Sequence, residues 1–294
     1  MAAYHRPTTL EEALAIRAEG AASVPPASTV AAPSALMARA ARVGWGDMRQ
    51  PDVLDISAVP GLRGISADGD GWRIGALATW TDIIRAELPP QFDGLKLAAR
   101  EVGGVQIQNR GTLAGNICTA SPAGDGAPNL LALDASVELV GVQGRRIVPM
   151  RGFIDGYRHT QCEAHELVTA ILVPRPKGAV ARSHFLKLGA RKYLVISIVM
   201  VAGVIEIDAA GVIAAARIAV GACSAVPQRL PALEAALIGQ PPAAAADLVF
   251  VDHLEPLAPI DDIRGSAAYR RKAALALVRD LLAELAQSER RRAA

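Results

Sequence analysis

The chain has 294 residues, 51% of them hydrophobic, 20% charged and only 4% aromatic, with a formal net charge of +2. That length suits two domains at roughly 100–200 residues each, and the apolar content excludes bulk disorder. The near-balanced charge removes the electrostatic argument for nucleic acid or a membrane surface as partner.

The N-terminal MAAYHRPTTLEEA lacks the basic-then-apolar pattern of a signal peptide, so the expected location is cytoplasmic. TLEEALAIRAE (9–19) opens on a threonine cap and carries apolar residues at helical spacing. AASVPPASTVAAPSA (21–35) reads as a loop or weak strand, and LMARAARV (36–43) as a short helix. GISADGDGWRIGAL (64–77) predicts a β-hairpin around two Asp-Gly pairs. TWTDIIRAEL (79–88) and GLKLAAREVG (94–103) are helical. A Gly-, Ala- and Ser/Thr/Asn-rich stretch follows at 106–125, then NLLALDASVELVGVQGRRIVPM (129–150), a buried segment and two strands about a turn. ELVTAILVP (166–174) is a strand, and PRPKG (174–178) the best candidate for a linker. LVISIVMVAGVIEI (194–207) is too short to span a bilayer and contains Ser197 and Glu206, so it predicts a buried strand or strand pair and no membrane span. The tail from Arg264 to Arg292 is strongly helical. The order of elements is α+β rather than the alternation of a doubly wound sheet.

Little conventional catalytic chemistry is visible. GxGxxG after a strand, GxxxxGK[ST] and GxSxG are absent, and the five histidines show no metal spacing. Cys118, Cys162 and Cys223 are odd in number and far apart, which argues for buried free thiols and against an iron–sulfur cluster held by this chain alone. No catalytic or metal-ligating residue is assigned, so a cofactor is expected to carry any chemistry. The stretch RGTLAGN (110–116) supplies the means: Gly111 and Gly115 let an anionic group approach backbone N–H groups, Thr112, Asn116, Thr119 and Ser121 add donors, and Asp125 adds an acceptor for a ribose or ribityl hydroxyl. A tight turn between strands is the competing reading.

RGTLAGNICTASPAGDGAPNLLALDA (110–135) resembles the second flavin-binding segment of the FAD-binding (medium) subunits of the xanthine dehydrogenase, or molybdenum hydroxylase, family, which includes carbon monoxide dehydrogenase. YHRPTTLEEALAI (4–16), RIGALATWTDI (73–83), FLKLGARKYLVISIV (185–199) and APIDDIRGSAAYRRKAALALV (258–278) resemble further family segments in the expected order. The resemblance implies a two-part FAD-binding domain of the vanillyl-alcohol-oxidase (PCMH) type over 1–177, then a smaller α+β domain over 178–294 like the carbon monoxide dehydrogenase flavoprotein C-terminal domain. It implies the FAD subunit of a heterotrimeric oxidoreductase. In such an enzyme a molybdopterin-binding large subunit oxidises the substrate, a [2Fe–2S] small subunit relays the electrons, and FAD passes them to NAD or another acceptor.

Carried over by position, Thr112, Leu113, Ala114, Gly115 and Asn116 would wrap the FAD pyrophosphate, supported by Thr119 and Ser121. Asp125 would bind the polar chain of the cofactor, Val168 would touch it through backbone or apolar surface, and Lys187 would approach the flavin edge. The bland alternatives are a helix cap near Pro128 for Asp125 and a solvated strand position for Lys187. Asp261–Arg264 reads as a structural cap and salt-bridge element. One departure stands out. The first Gly-Gly-Thr flavin loop of the family, expected near 24–33, is replaced by SVPPASTVAAPSA, with no glycine between Gly20 and Gly44. Prolines there lack N–H donors. Three readings follow: FAD bound through altered contacts, a degenerate flavin-free structural subunit of the same complex, or a local shift of reading frame in an alanine-rich gene.

Overall fold

The computed structural model describes residues 3–20, 53–67, 69–178 and 180–287. The expected first flavin loop near 24–33 and the helix expected over 36–43 lie outside the described residues.

The N-terminal part starts with a short parallel pair, β1 (Tyr4–His5) on β2 (Val53–Leu54), flanked by helix α1 (Leu10–Gly20). The Thr9 hydroxyl accepts from the Glu12 amide at 3.1 Å, and Glu12 reaches back to the Thr8 amide at 2.9 Å, which fixes where α1 begins. The buried side of α1, Ala13 and Leu14, rests on Leu54, Ile56, Leu62, Leu77 and Leu167.

The predicted hairpin forms from β3 (Ile65–Ala67) and β4 (Gly71–Gly75). Helices α2 (Trp80–Arg85), α3 (Asp93–Glu101), α4 (Val105–Gln108), α5 (Leu113–Thr119) and α6 (Gly126–Ala132) follow. Next come the hairpin β5 (Ser136–Gly141) and β6 (Gly144–Pro149), a turn of helix α7 (Met150–Phe153), the short pair β7 (Ile154–Gly156) and β8 (His159–Thr160), and β9 (Leu167–Pro174). Strands β3-β4-β9-β5-β6 make one antiparallel five-stranded sheet. Gly71 permits the closest strand approach in it: a Cβ there would lie 2.1 Å from the Val173 carbonyl oxygen.

The C-terminal part is a second antiparallel sheet, β10 (Val180–Leu188), β11 (Val199–Ile207), β12 (Ile213–Gly221) and β13 (Gln228–Arg229), with helices α8 (Pro231–Leu237) and α9 (Ala267–Gln287). Every residue of β11 is buried. The twofold alternation of a strand explains how. Met200, Ala202 and Val204 point into the core built by α3, α5 and α6, whereas Val199, Val201, Ile205 and Ile207 point into a second core with α8 and α9. This second sheet therefore contributes to both cores. Helix α9 buries Ala274, Val278, Leu281, Leu282 and Leu285, the helical stripe that its sequence predicts. A Cβ on Gly203 would lie 2.5 Å from Leu281, so this glycine lets helix and sheet come together.

Asp261–Arg264 is structural: the Asp261 carboxylate accepts from the Ala267 amide at the start of α9, and Asp262 pairs with both Arg264 and the buried Arg270. PRPKG runs between β9 and β10 and is held in place, because the amides of Lys177 and Gly178 both donate to the Glu206 carboxylate, at 2.8 and 2.7 Å, and Arg175 lies over the Trp72 ring. One expectation needs correction. The apolar run from 194 is not strand throughout, because β11 starts only at Val199 and Leu194 and Ile196 are exposed at 56% and 61%. Arg191 donates to the Leu194 carbonyl and Leu194 adopts φ +53°, so the chain turns before the strand begins.

Candidate functional site

Helix α2 and the loop before α5 are joined first. Thr79 caps α2 in a full capping box with Asp82. It also forms an antiparallel bridge with Thr112, and the Trp80 amide donates to the Gly111 carbonyl at 3.0 Å. Thr112 in turn caps α5, its hydroxyl accepting from the Gly115 amide at 2.9 Å. This cap satisfies the third amide of the helix. The first two, on Leu113 and Ala114, have no carbonyl within the helix to bond, as at any helix start, and they carry the positive end of the peptide dipoles.

A cleft of about 170 Å³ opens here, lined among others by Trp80, Gly111, Thr112, Gly115, Asn116 and Ser121. Gly111 keeps it shallow-walled: a Cβ would lie 3.0 Å from the Ile107 carbonyl oxygen and 3.3 Å from the Trp80 ring. Asn116 shapes the far wall, its Oδ1 accepting from the Gly126 amide at 3.0 Å. A Cβ on Gly126 would meet that same oxygen and Leu113, each at 2.8 Å. Thr119 bonds back to the Gly115 carbonyl at 2.8 Å, and the Ser121 hydroxyl accepts from the Ala123 amide. The glycine wall and the Thr112, Asn116, Thr119 and Ser121 side chains that line the cleft suit a diphosphate lying against main chain.

Seven of the ten expected site residues, Thr112–Asn116, Thr119 and Ser121, thus lie on one continuous segment; five of them line the cleft, whereas Leu113 and Ala114 are buried and do not. The other three sit differently. Val168, on β9, is buried in the core opposite Leu139 and does not line the cleft. Asp125 and Lys187 have found each other: Lys187 Nζ donates to Asp125 Oδ2 at 2.9 Å, with side chains only 6% and 8% exposed for Lys187 and Asp125. Ser197 donates to Asp125 Oδ1 at 3.1 Å. Burial holds the Asp125 carboxyl above the usual carboxylate range, and Lys187 and Ser197 offset this only in part. Lys187 is therefore no solvated strand residue, and Asp125, although it stands first at α6, makes no side-chain cap. Burial also raises all three thiols, Cys162 and Cys223 to about 11, and no cluster of three metal-ligating side chains occurs among the described residues.

Sequence reasoning missed Trp80, Val102 and Ile107, which complete the cleft. Trp80 had a signal, because it directly follows the capping threonine of a Thr-x-x-Asp box. Val102 and Ile107 had none, because their place depends on how the chain leaves α3 through Gly103 at φ +55°.

A cleft lined by glycine, threonine, serine and asparagine, in an α+β chain with two larger antiparallel sheets, suits a cofactor-carrying protein of the dinucleotide-binding class. The comparisons with known proteins make this specific. A family profile described as the FAD binding domain in molybdopterin dehydrogenase matches residues 1–176, and one described as the CO dehydrogenase flavoprotein C-terminal domain matches residues 184–285. The chain belongs to this family of FAD-binding oxidoreductase subunits. The nicotinate dehydrogenase FAD-subunit of Eubacterium barkeri is 36% identical over 197 residues, covering 65% of this chain and 66% of that relative. The xanthine dehydrogenase FAD-binding subunit of Escherichia coli O157:H7 is 31% identical over 231 residues, covering 78% of this chain and 76% of that one. Among solved structures, carbon monoxide dehydrogenase from Hydrogenophaga pseudoflava, in a form that lacks the Mo-pyranopterin moiety, superposes with a TM-score of 0.84 at 29% identity, covering 98% of this chain and 97% of that chain. The α+β, two-part architecture expected from sequence agrees with these matches. No helix among the described residues is long and apolar enough to cross a membrane.

Proposed function

We propose that this chain is the FAD-carrying electron-transfer subunit of a molybdenum hydroxylase, and that residues 110–121 hold the pyrophosphate. The observation that carries the reading is the α5 start: a Thr112 cap at the positive end of the helix, beside a cleft lined by Gly111, Gly115 and Asn116, in a chain of this family. Thr112–Asn116 would contact the diphosphate, with Thr119 and Ser121 holding the turn behind it. Val168, Asp125 and Lys187 would support the cradle from the core side. FAD, when bound, would accept electrons singly or in pairs and so bridge one-electron and two-electron partners. The natural partners are then a [2Fe–2S] small subunit and a molybdopterin-binding large subunit, with NAD or another oxidant as acceptor. The domain boundary falls at 177/178 on this reading.

The competing reading is a flavin-free structural subunit, favoured by the glycine-free SVPPASTVAAPSA segment. A visible spectrum separates the two. Purified protein should be yellow, or should become so when FAD is added, with saturable binding that quenches flavin fluorescence. A colourless protein that does not bind added FAD, yet co-purifies with molybdenum- and iron–sulfur-containing partners, would establish the structural role instead.

A further inference from the structure

Lys187 and Ser197 bracket a single loop. Lys187 lies near the end of β10, and Ser197 lies two residues before β11. Between them Tyr193, Leu194 and Ile196 are all exposed. The loop is shaped from within: Gly189 makes room for Val195, since a Cβ there would lie 2.4 Å from it, and Arg191 closes the turn on the Leu194 carbonyl. Its outer side approaches the turn between Val102 and Ile107, two residues that line the cleft, with the Leu194 side chain 3.7 Å from where a Gly104 Cβ would stand.

Both ends of this loop are tied to the same carboxylate. Asp125 closes the cradle segment just before α6, and it takes Lys187 on one oxygen and Ser197 on the other. The Lys187 ammonium also donates to the Glu101 carbonyl at 3.5 Å, at the C-terminal end of α3, where the peptide dipoles favour a cation. Val102, which lines the cleft, follows Glu101 directly. One buried group of three side chains thus joins the cradle, the cleft rim and the 189–197 loop. The partners lie 62 and 72 residues apart and span both halves of the chain. A buried ion pair is a weak source of net stability but a strong constraint on geometry, because separating it strands a charge in the core.

We infer that Asp125, Lys187 and Ser197 act as a positioning latch, so that order in the 189–197 loop and occupancy of the cradle by a dinucleotide are one coupled equilibrium. The inference rests on the flavin reading for the identity of the ligand, but not for the latch itself. A ligand that orders the cradle then orders the loop, and by reciprocity a loosened loop weakens the ligand. Tyr193, Leu194 and Ile196 would be held beside the cleft only while the latch is closed.

Hydrogen exchange on the full chain tests this, with and without FAD. Ser197→Ala removes one hydroxyl and keeps the ion pair. Lys187→Met is the second variant, in which the stranded Asp125 carboxyl can neutralise itself by taking up a proton. In unliganded protein each variant should raise amide exchange in 189–197 and in 121–129 together, by roughly fivefold or more, with β12 and α9 unchanged. FAD titrated against the same proteins should bind more weakly by a matching factor, and in the wild type it should protect both segments. Faster exchange confined to 189–197, with 121–129 and FAD affinity unaltered in both variants, would overturn the latch. Wild-type protein that fails to bind FAD would overturn the flavin reading and the ligand half of this inference, while the unliganded exchange still decides the tie.

Discussion

Glu206 shows how a single side chain can fix a joint between halves of a molecule. Burial alone would push its carboxyl up, but the Arg217 guanidinium and the amides of Gly178 and Lys177 outweigh that and hold it below the usual carboxylate range. A carboxyl depressed in the folded state stabilises above its unfolded value and loses that contribution as pH falls through the folded value. Glu206→Gln should therefore cost about 1–3 kcal/mol at pH 7, and the gap to wild type should shrink below about pH 4, as read by urea melts at both pH values. Gly126 makes a steric prediction of the same kind. Its Cβ would strike Asn116 and Leu113 at 2.8 Å, so Gly126→Ala should destabilise by about 1–3 kcal/mol. It should also displace Asn116 and thereby weaken FAD, which a fluorescence titration would report. The cradle and the carboxylate behind it differ in legibility. The bareness of the cradle shows in the sequence because glycine and alanine are intrinsic features. The partner of Asp125 does not show, because nothing local in either sequence neighbourhood names a lysine 62 positions away.

At the scale of elements, the reliable signals were caps and periods. Thr9, read as a cap from the sequence, bonds an amide three residues on and starts its helix there; Thr79 and Thr112 do the same, although the helix that Thr112 starts was not among those expected. Thr79 carries more than its own helix, because its bridge to Thr112 joins α2 to the cradle. Thr79→Ala should lower stability by about 1 kcal/mol, visible as a reduced urea midpoint at constant slope. The failures were also physical. The run LVISIVMVAGVIEI reads as uniformly apolar, yet its first residues turn outward at Leu194, because Arg191 and Gly189 build a tight loop that hydropathy does not encode. PRPKG has the composition of a linker, and what that composition does not show is that Glu206, on β11, pins it.

At the scale of the whole molecule, the two halves share a wall. Phe185, Met200, Ala202, Val204 and Ala219 from the second sheet complete the core that α3, α5 and α6 begin. A fragment of residues 1–177 would expose that core, and apolar surface left in water costs roughly 25 cal/mol per Å². The fragment should accordingly aggregate or melt without cooperativity, whereas the full chain should unfold in one calorimetric transition. Two separate transitions would show that the halves are energetically independent.

What the sequence determined by itself is what short-range chemistry can write: helix starts from caps, strand faces from alternation, a small-residue stretch able to lie against a phosphate, and the order of segments that places the chain in its family. Tertiary structure alone decided which carboxylate meets which lysine, that Trp80, Val102 and Ile107 wall the cleft, and that the second sheet is buried on both sides. The reason is distance along the chain. Caps and periods act over three or four residues, whereas the Asp125–Lys187–Ser197 group exists only after two sheets have packed across a common layer of helices.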